Sequence, residues 1–187
     1  MVLLSRITTK AGDGGETGLG DGSRTPKDSP RIEAIGAVDE CNAAIGLCRA
    51  HCSETEGDLA RLLMQIQNDL FDLGSDLCRP SPAGFFDPAN RFAASRIEWL
   101  ELQIATLNQR LEPLRSFVLP GGNPLSAHLH LARTIVRRSE RRVFTLARAE
   151  TINPNLAPYL NRLSDLLFVA SRIAEPEGKL WTPGRDV

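Results

Sequence analysis

A chain of 187 residues with 42% hydrophobic residues, 24% charged residues and a net charge of -1 has room for one domain with a sizeable core. That balance excludes the disordered and collagen-like classes and implies no strongly acidic or basic partner. No stretch is apolar enough to span a membrane and the start MVLLSRITTK lacks a secretory core, so a cytoplasmic protein is expected.

The chain opens on a glycine-rich stretch, Thr8 to Gly22, in which 6 of 15 residues are glycine. Backbone N–H groups of such a loop can approach an anion closely, while Thr8, Thr9, Thr17 and Lys10 add hydroxyls and a cation. It matches neither the P-loop nor the dinucleotide fingerprint. On these residues alone a phosphate cradle and a mobile polar tail stand level. A first helix is predicted from about Pro30 to about Ala50, capped by Asp28 or Ser29, with Pro30 in the first turn where its missing N–H is no loss. Leu59, Leu62, Leu63, Ile66, Leu70, Leu73 and Leu77 recur at three- and four-residue steps and predict a second helix. The stretch RPSPAGFFDP is a connection, after which Asp87 is expected to cap a third helix opened by Pro88 and carrying Ile97, Leu100, Ile104, Leu107 and Leu111. Beyond LPGGNP a fourth helix runs from about Pro124 to Ala149. A fifth contains Leu160, Leu163, Leu167, Ala170 and Ile173, its start left open by Pro158. No run alternates long enough to predict a strand.

The expected fold is all-α, a ferritin-like up-and-down bundle of five antiparallel helices preceded by the glycine-rich loop. Within a single domain, 1–27 forms the N-terminal segment, 28–175 the bundle and 176–187 a tail. The cysteines, Cys41, Cys48, Cys52 and Cys78, fall in apolar-periodic segments without C-x-x-C spacing, which predicts reduced, buried thiols. Cys48, His51 and Cys52 share a helix face, but a fourth metal ligand has no candidate nearby and the core reading is preferred.

Three polar patterns stand out. Arg133, Arg137 and Arg141 follow one another at i, i+4 and i+8, with Glu140 three after Arg137, so they share a face. Their mutual repulsion calls for an anion or for carboxylates. A polyphosphate suits planar guanidinium donation, whereas a net charge near zero and the lack of interleaved aromatics weigh against nucleic acid. A solvated arginine face balanced by Glu140 and neighbouring carboxylates is the alternative. Asn161 and Asp165 lie on an otherwise apolar helix and need partners, as do Asp39 and Asn42. Pairing with an arginine of another helix is the preferred reading for Asp39.

Six ordered blocks, TKAGDGGETGL, KDSPRIEAIGAVDECNAAIG, LFDLGSDL, FVLPGG, HLARTIVRRSERRV and YLNRLSDLLFVASR, run through nearly the whole chain. Together they resemble the ATP:cob(I)alamin adenosyltransferase family of the propanediol-utilisation type. That resemblance implies a homotrimer with each active site at a subunit interface, and transfer of the 5′-deoxyadenosyl group of ATP to cob(I)alamin. It implies that the opening loop, through Thr8, Thr9, Lys10, Gly12, Asp13, Gly15, Thr17 and Gly18, and Lys27 behind it, holds the ATP triphosphate with Mg²⁺ and closes over it. Arg137, Arg138, Glu140 and Arg141 would hold nucleotide with Asn161, and Arg133 would pair with Asp39 across the interface. Phe117 would lie beneath the corrin ring and exclude a lower axial ligand from cobalt. The implied catalytic set is Arg133, Arg137, Asp39 and Phe117, with no protein-borne metal. The family loop reads T-K-T-G-D, so Ala11 stands in place of a threonine and one hydroxyl is lost. A cobalamin reductase and an adenosylcobalamin-dependent enzyme are the implied partners. Rival readings are an ATP-binding regulatory module and a helical-bundle interaction protein without catalysis.

Overall fold

The structure, a computed structural model, describes residues 8, 10–82, 84–89 and 91–184. Among the expected site residues, Thr9 lies outside the described residues. Its elements are β1 (Glu16–Gly18), β2 (Arg24–Pro26), α1 (Pro30–Ala50), α2 (Gly57–Leu77), α3 (Ser95–Asn108), α4 (Pro124–Ala147) and α5 (Leu156–Ala174), with a 3₁₀ turn at Glu54–Glu56. The expected five helices are all present, in the expected order. None is long and apolar enough to cross a membrane among the described residues.

The boundaries follow local chemistry where such chemistry exists. Ser29 is the N-cap of α1 and its hydroxyl accepts from the Ile32 N–H at 3.4 Å, with Pro30 at the first helical position. Pro158 falls in the first turn of α5, where a proline costs nothing. The third helix corrects the sequence reading. Asp87 does accept a local N–H, from Ala89 at 2.9 Å, but this closes a turn and no helix follows until Ser95. The reason lies on α2. Buried Asp76 accepts from the Phe92 N–H at 2.8 Å and from Arg91 at 3.0 Å, which commits 91–92 to the bundle before a helix can begin. The helix ends at Asn108, so Leu111 lies beyond it. The β1–β2 ribbon, with Thr17 opposite Thr25, was not expected, because three-residue strands carry too little alternation to read.

Helices α1 and α4 run antiparallel along each other. Glu33 meets Arg142 at 3.1 Å, the Glu40 and Arg138 side chains pair, and His51 stacks on His128 at 4.4 Å. The core beneath them is continuous, built from Val38, Ile45, Leu63, Leu70, Leu129, Val136, Leu160 and Leu167 among others. One end of the bundle therefore gathers the start of α1, the end of α2 and the end of α4. There Arg31, only 3% exposed, donates to the Leu77 carbonyl at 2.5 Å and to the Glu150 carboxylate at 3.0 Å.

Removing the Arg31 guanidinium leaves the Leu77 carbonyl without its buried donor and empties a packed site, while the exposed Glu150 turns to water. Arg31→Ala is expected to lower stability by roughly 1–3 kcal/mol. A urea titration followed by helical ellipticity reads this as a lowered midpoint at unchanged slope.

Candidate functional site

From Lys10 to Gly22 the glycine-rich stretch forms the turns on either side of β1. Backbone conformations closed to most side chains occur at Gly15 (φ +88°) and Gly22 (φ +85°), and Lys10 adopts φ +58°. Arg24 braces the turn, donating to the Ala11 carbonyl at 2.9 Å and pairing with Glu16 at 3.3 Å. Gly20 ties the ribbon to the bundle through its N–H to the Cys78 carbonyl at 2.7 Å. The Lys27 N–H donates to the Gly15 carbonyl at 2.9 Å, and its side chain lies against Gly12 so closely that a Cβ there would stand 2.9 Å from the ammonium nitrogen. Gly12, Gly15 and Lys27 are thus brought together, with Thr17 and Gly18 on the adjoining strand. Asp13 is exposed, and its carboxylate has no hydrogen-bond or ion-pair partner among the described residues.

On α4 a fully buried hydroxyl sets the rotation. Ser139 donates to the Ala37 carbonyl at 2.7 Å and lies 3.0 Å from the Cys41 sulfur, both on α1. Its neighbours are sorted by that contact. Arg138 and Arg142 turn toward α1 and are paired by Glu40 and Glu33. Arg137 and Arg141 turn outward, exposed and without an ion-pair partner among the described residues. Glu140, which on the alternative reading would balance the arginines, accepts from Asn161 of α5 at 3.0 Å, and Arg162 donates to the side-chain Oδ1 of Asn161 at 2.6 Å. Arg133 is half-buried with its guanidinium 5.5 Å from the centre of the Phe168 ring. Burial, and after it the Arg133 charge, hold His130 below the usual imidazole range.

Within the chain, Asp39 has no arginine partner among the described residues; the interhelical pairing falls on its neighbour Glu40. Asn42 is buried and satisfied by exchanging amide bonds with Gln67 at 3.1 Å in each direction, a structural role. Asp165 is exposed. The sequence reading missed Glu40, Glu33 and Arg142, although the seven-residue spacing of the two glutamates would have shown their common face.

The Phe117 loop stands at the opposite end of the bundle, before the start of α4. Phe117 is 78% exposed and touches the Trp181 ring edge-on, with centroids 6.0 Å apart. The thiols offer no nucleophile. All four are free, and burial pushes Cys41 up to about 11 and Cys48 up to about 12. No group of three or more metal-ligating side chains assembles among the described residues.

The arrangement can hold an anion in two places, a cationic glycine loop and an outward arginine pair. Gly12→Ala is expected to unseat Lys27 and weaken binding of inorganic triphosphate by a few-fold to about tenfold, the share of one charge-assisted contact. Isothermal titration against the unaltered chain measures it, with unchanged helical ellipticity as the control.

Comparison with known proteins supplies the frame for this geometry. The cobalamin adenosyltransferase family model matches residues 7–174. The corrinoid adenosyltransferase of Mycobacterium tuberculosis is 49% identical over 188 residues, covering 99% of this chain and 97% of that one. An arginine-to-lysine variant of the PduO-type adenosyltransferase from Lactobacillus reuteri, complexed with ATP, superposes with a TM-score of 0.87 at 36% identity, covering 94% of this chain and 100% of that chain. A phenylalanine-to-histidine variant of the same type, complexed with cobalamin and ATP, gives 0.86 at 35% identity, covering 97% and 100%. With the five-helix bundle, the glycine ribbon and the arginine stripe already in place, this chain belongs to the cobalamin adenosyltransferase family.

Proposed function

We propose that the chain transfers the 5′-deoxyadenosyl group of ATP to cob(I)alamin, giving adenosylcobalamin and triphosphate. The observation that carries this reading is the Arg137 and Arg141 pair, one helical turn apart, exposed and unmatched by carboxylate among the described residues while Arg138 and Arg142 beside them are neutralised. Support also comes from the related variant structure complexed with both cobalamin and ATP.

In the reaction an electron pair on cobalt forms the bond to the 5′ carbon as the bond from that carbon to the triphosphate oxygen breaks. The electron pair of the broken carbon–oxygen bond leaves with triphosphate. No protein nucleophile is required, in keeping with thiols held protonated. The protein's part is to align carbon with cobalt and to stabilise a leaving group that gains charge. Arg137 and Arg141 are suited to that from α4, and Lys27, Lys10, Thr17 and the N–H groups near Gly12 and Gly15 from the ribbon. Arg138 would have to exchange Glu40 for phosphate, so the first contacts fall to its outward neighbours. Glu140 and Asn161, already bonded to each other, offer a polar edge to the nucleoside.

The donor set fits Mg²⁺ only as the nucleotide's own counter-ion, because the ion keeps waters and phosphate oxygens and asks for one or two protein oxygens at most. Asp13 is the uncommitted carboxylate of the ribbon and would supply one. When bound, the ion would neutralise phosphate charge.

Phe117 presents an exposed aromatic face suited to the lower side of a corrin ring. An apolar surface there excludes a lower axial ligand and eases reduction of Co(II) to Co(I). Asp39 and Arg133, unpaired with each other in one chain, support a trimer in which they meet between copies and complete the site. The working setting would be the cytoplasm, with a cobalamin reductase upstream and an adenosylcobalamin-dependent enzyme downstream.

The test mixes the protein with chemically reduced cobalamin and ATP and follows the loss of Co(I) absorbance. Turnover is expected, and its absence in a folded sample would sink the enzyme reading in favour of a non-catalytic nucleotide-binding bundle. Arg137→Ala should lower the rate on the order of a hundredfold with helicity intact, because it removes one preorganised donor from the developing charge. Wild-type turnover in that variant takes Arg137 out of the site.

A further inference from the structure

Phe117 belongs to the stretch between α3 and α4, which has no helix or ribbon of its own, so something else must decide where its ring stands. Two sets of contacts do so, both from the chain that follows α5. The Leu119 N–H donates to the Lys179 carbonyl at 2.8 Å, and the Trp181 N–H donates to the carbonyl of Phe117 itself at 2.7 Å. The Ser116 hydroxyl donates to the Trp181 carbonyl at 2.8 Å. This is a short antiparallel bridge, Val118 opposite Leu180, with Phe117 at its edge. On the far side Glu175 accepts from the Asn123 N–H at 2.8 Å and fills the space over Gly122 so fully that a Cβ would stand 2.5 Å from it. The loop is thereby held on either side of Pro120 by residues 175–181.

The Trp181 ring completes the arrangement. It meets Phe117 edge-on, 62° between planes, and is itself 46% exposed. Phe117, Leu119, Leu180 and Trp181 are all partly open to solvent and together form an apolar shelf. The region matched by the family model ends at residue 174, so the tail that does this lies outside the matched pattern.

We infer that the C-terminal tail is the positioning element of the reaction's lower face, with Trp181 the positioning residue that holds the Phe117 ring against the cobalt side of the corrin. This rests on the reading of Phe117 as the group that excludes a lower axial ligand. An aromatic ring on an unbraced loop would sample many positions, and an axial base would compete with it for cobalt. Bracing by the tail removes that freedom before substrate arrives.

The test compares two rates for each variant. One is turnover from cob(II)alamin with a reductant, the other turnover from preformed cob(I)alamin, both with ATP. Trp181→Ala should lower the ratio of the first to the second by roughly three- to tenfold, the range expected of one edge-to-face aromatic contact. Trp181→Phe should restore most of it. In parallel, electron paramagnetic resonance of Co(II) with ATP bound should regain the nitrogen splitting of a lower base in Trp181→Ala and not in Trp181→Phe. Should Trp181→Ala lose helicity, Ser116→Ala, which removes one bridge bond and keeps the ring, carries the same expectation at smaller amplitude. Phe117→Ala separates the two levels. If it lowers the ratio while the tail variants do not, the tail inference is overturned and the Phe117 reading stands. If Phe117→Ala leaves both ratio and spectrum unchanged, the Phe117 reading falls and the inference falls with it.

Discussion

The seam between α1 and α4 is the contact on which the candidate site depends. Ser139, fully buried between the Ala37 carbonyl and the Cys41 sulfur, lets the two helices approach closely and leaves α4 one rotation about its axis. A helix places residues about 100° apart, so fixing Ser139 fixes all of its neighbours. Arg138 and Arg142 then face carboxylates on α1, while Arg137 and Arg141 face away from them. A larger side chain at 139 would roll or lift the helix and scramble which guanidinium groups are neutralised. The electrostatic identity of the outward face is in this sense a packing outcome.

The two ends of the bundle are specialised differently and are separated by the length of α4, about 36 Å for its 24 residues. At one end the polar network of Arg31, Asp76 and Asn153 fastens helix ends and connections, and the glycine ribbon hangs from the last turn of α2. Buried Asp69 extends this network inward, accepting from Tyr159 at 2.8 Å and Arg96 at 2.6 Å, and burial with that carboxylate pushes the Tyr159 hydroxyl well above its ordinary range. At the other end the contacts are an apolar shelf and a short backbone bridge. On the proposed reading the first surface, cationic and rich in N–H donors, takes phosphate and the second, apolar, takes the corrin, and two surfaces this far apart in one chain serve one reaction only where copies adjoin. The arginine stripe of α4 runs between them. A reaction in which the nucleophile is a metal centre and the leaving group a polyphosphate needs little else from a protein beyond alignment and charge.

Much of this was legible from local pattern. The helices could be read because apolar periodicity, the Ser29 cap and prolines in first turns are short-range signals. The arginine stripe was legible for the same reason, as residues four apart share a face whatever the fold. The start of α3 was not, because its delay past Pro88 is imposed by Asp76, more than ten residues earlier and on another helix. That the ion pair within the chain falls on Glu40 rather than on its neighbour Asp39 was not legible either, a choice decided by helix rotation and invisible in composition. Trp181 could not be found from its own surroundings. Its partner lies more than sixty residues away in a stretch without periodicity, and only the fold brings the two rings together.

The sequence by itself determined that there are five helices, their order and the family, since each rests on spacing within a few residues or on ordered motifs along the chain. Tertiary structure alone decided which arginines keep an unbalanced charge, how Lys27 is seated against Gly12, and what braces Phe117. Those are pairings between residues far apart in the chain. Whether a charge is paired or a ring is held depends on distances of a few ångströms, and only the packed bundle sets them.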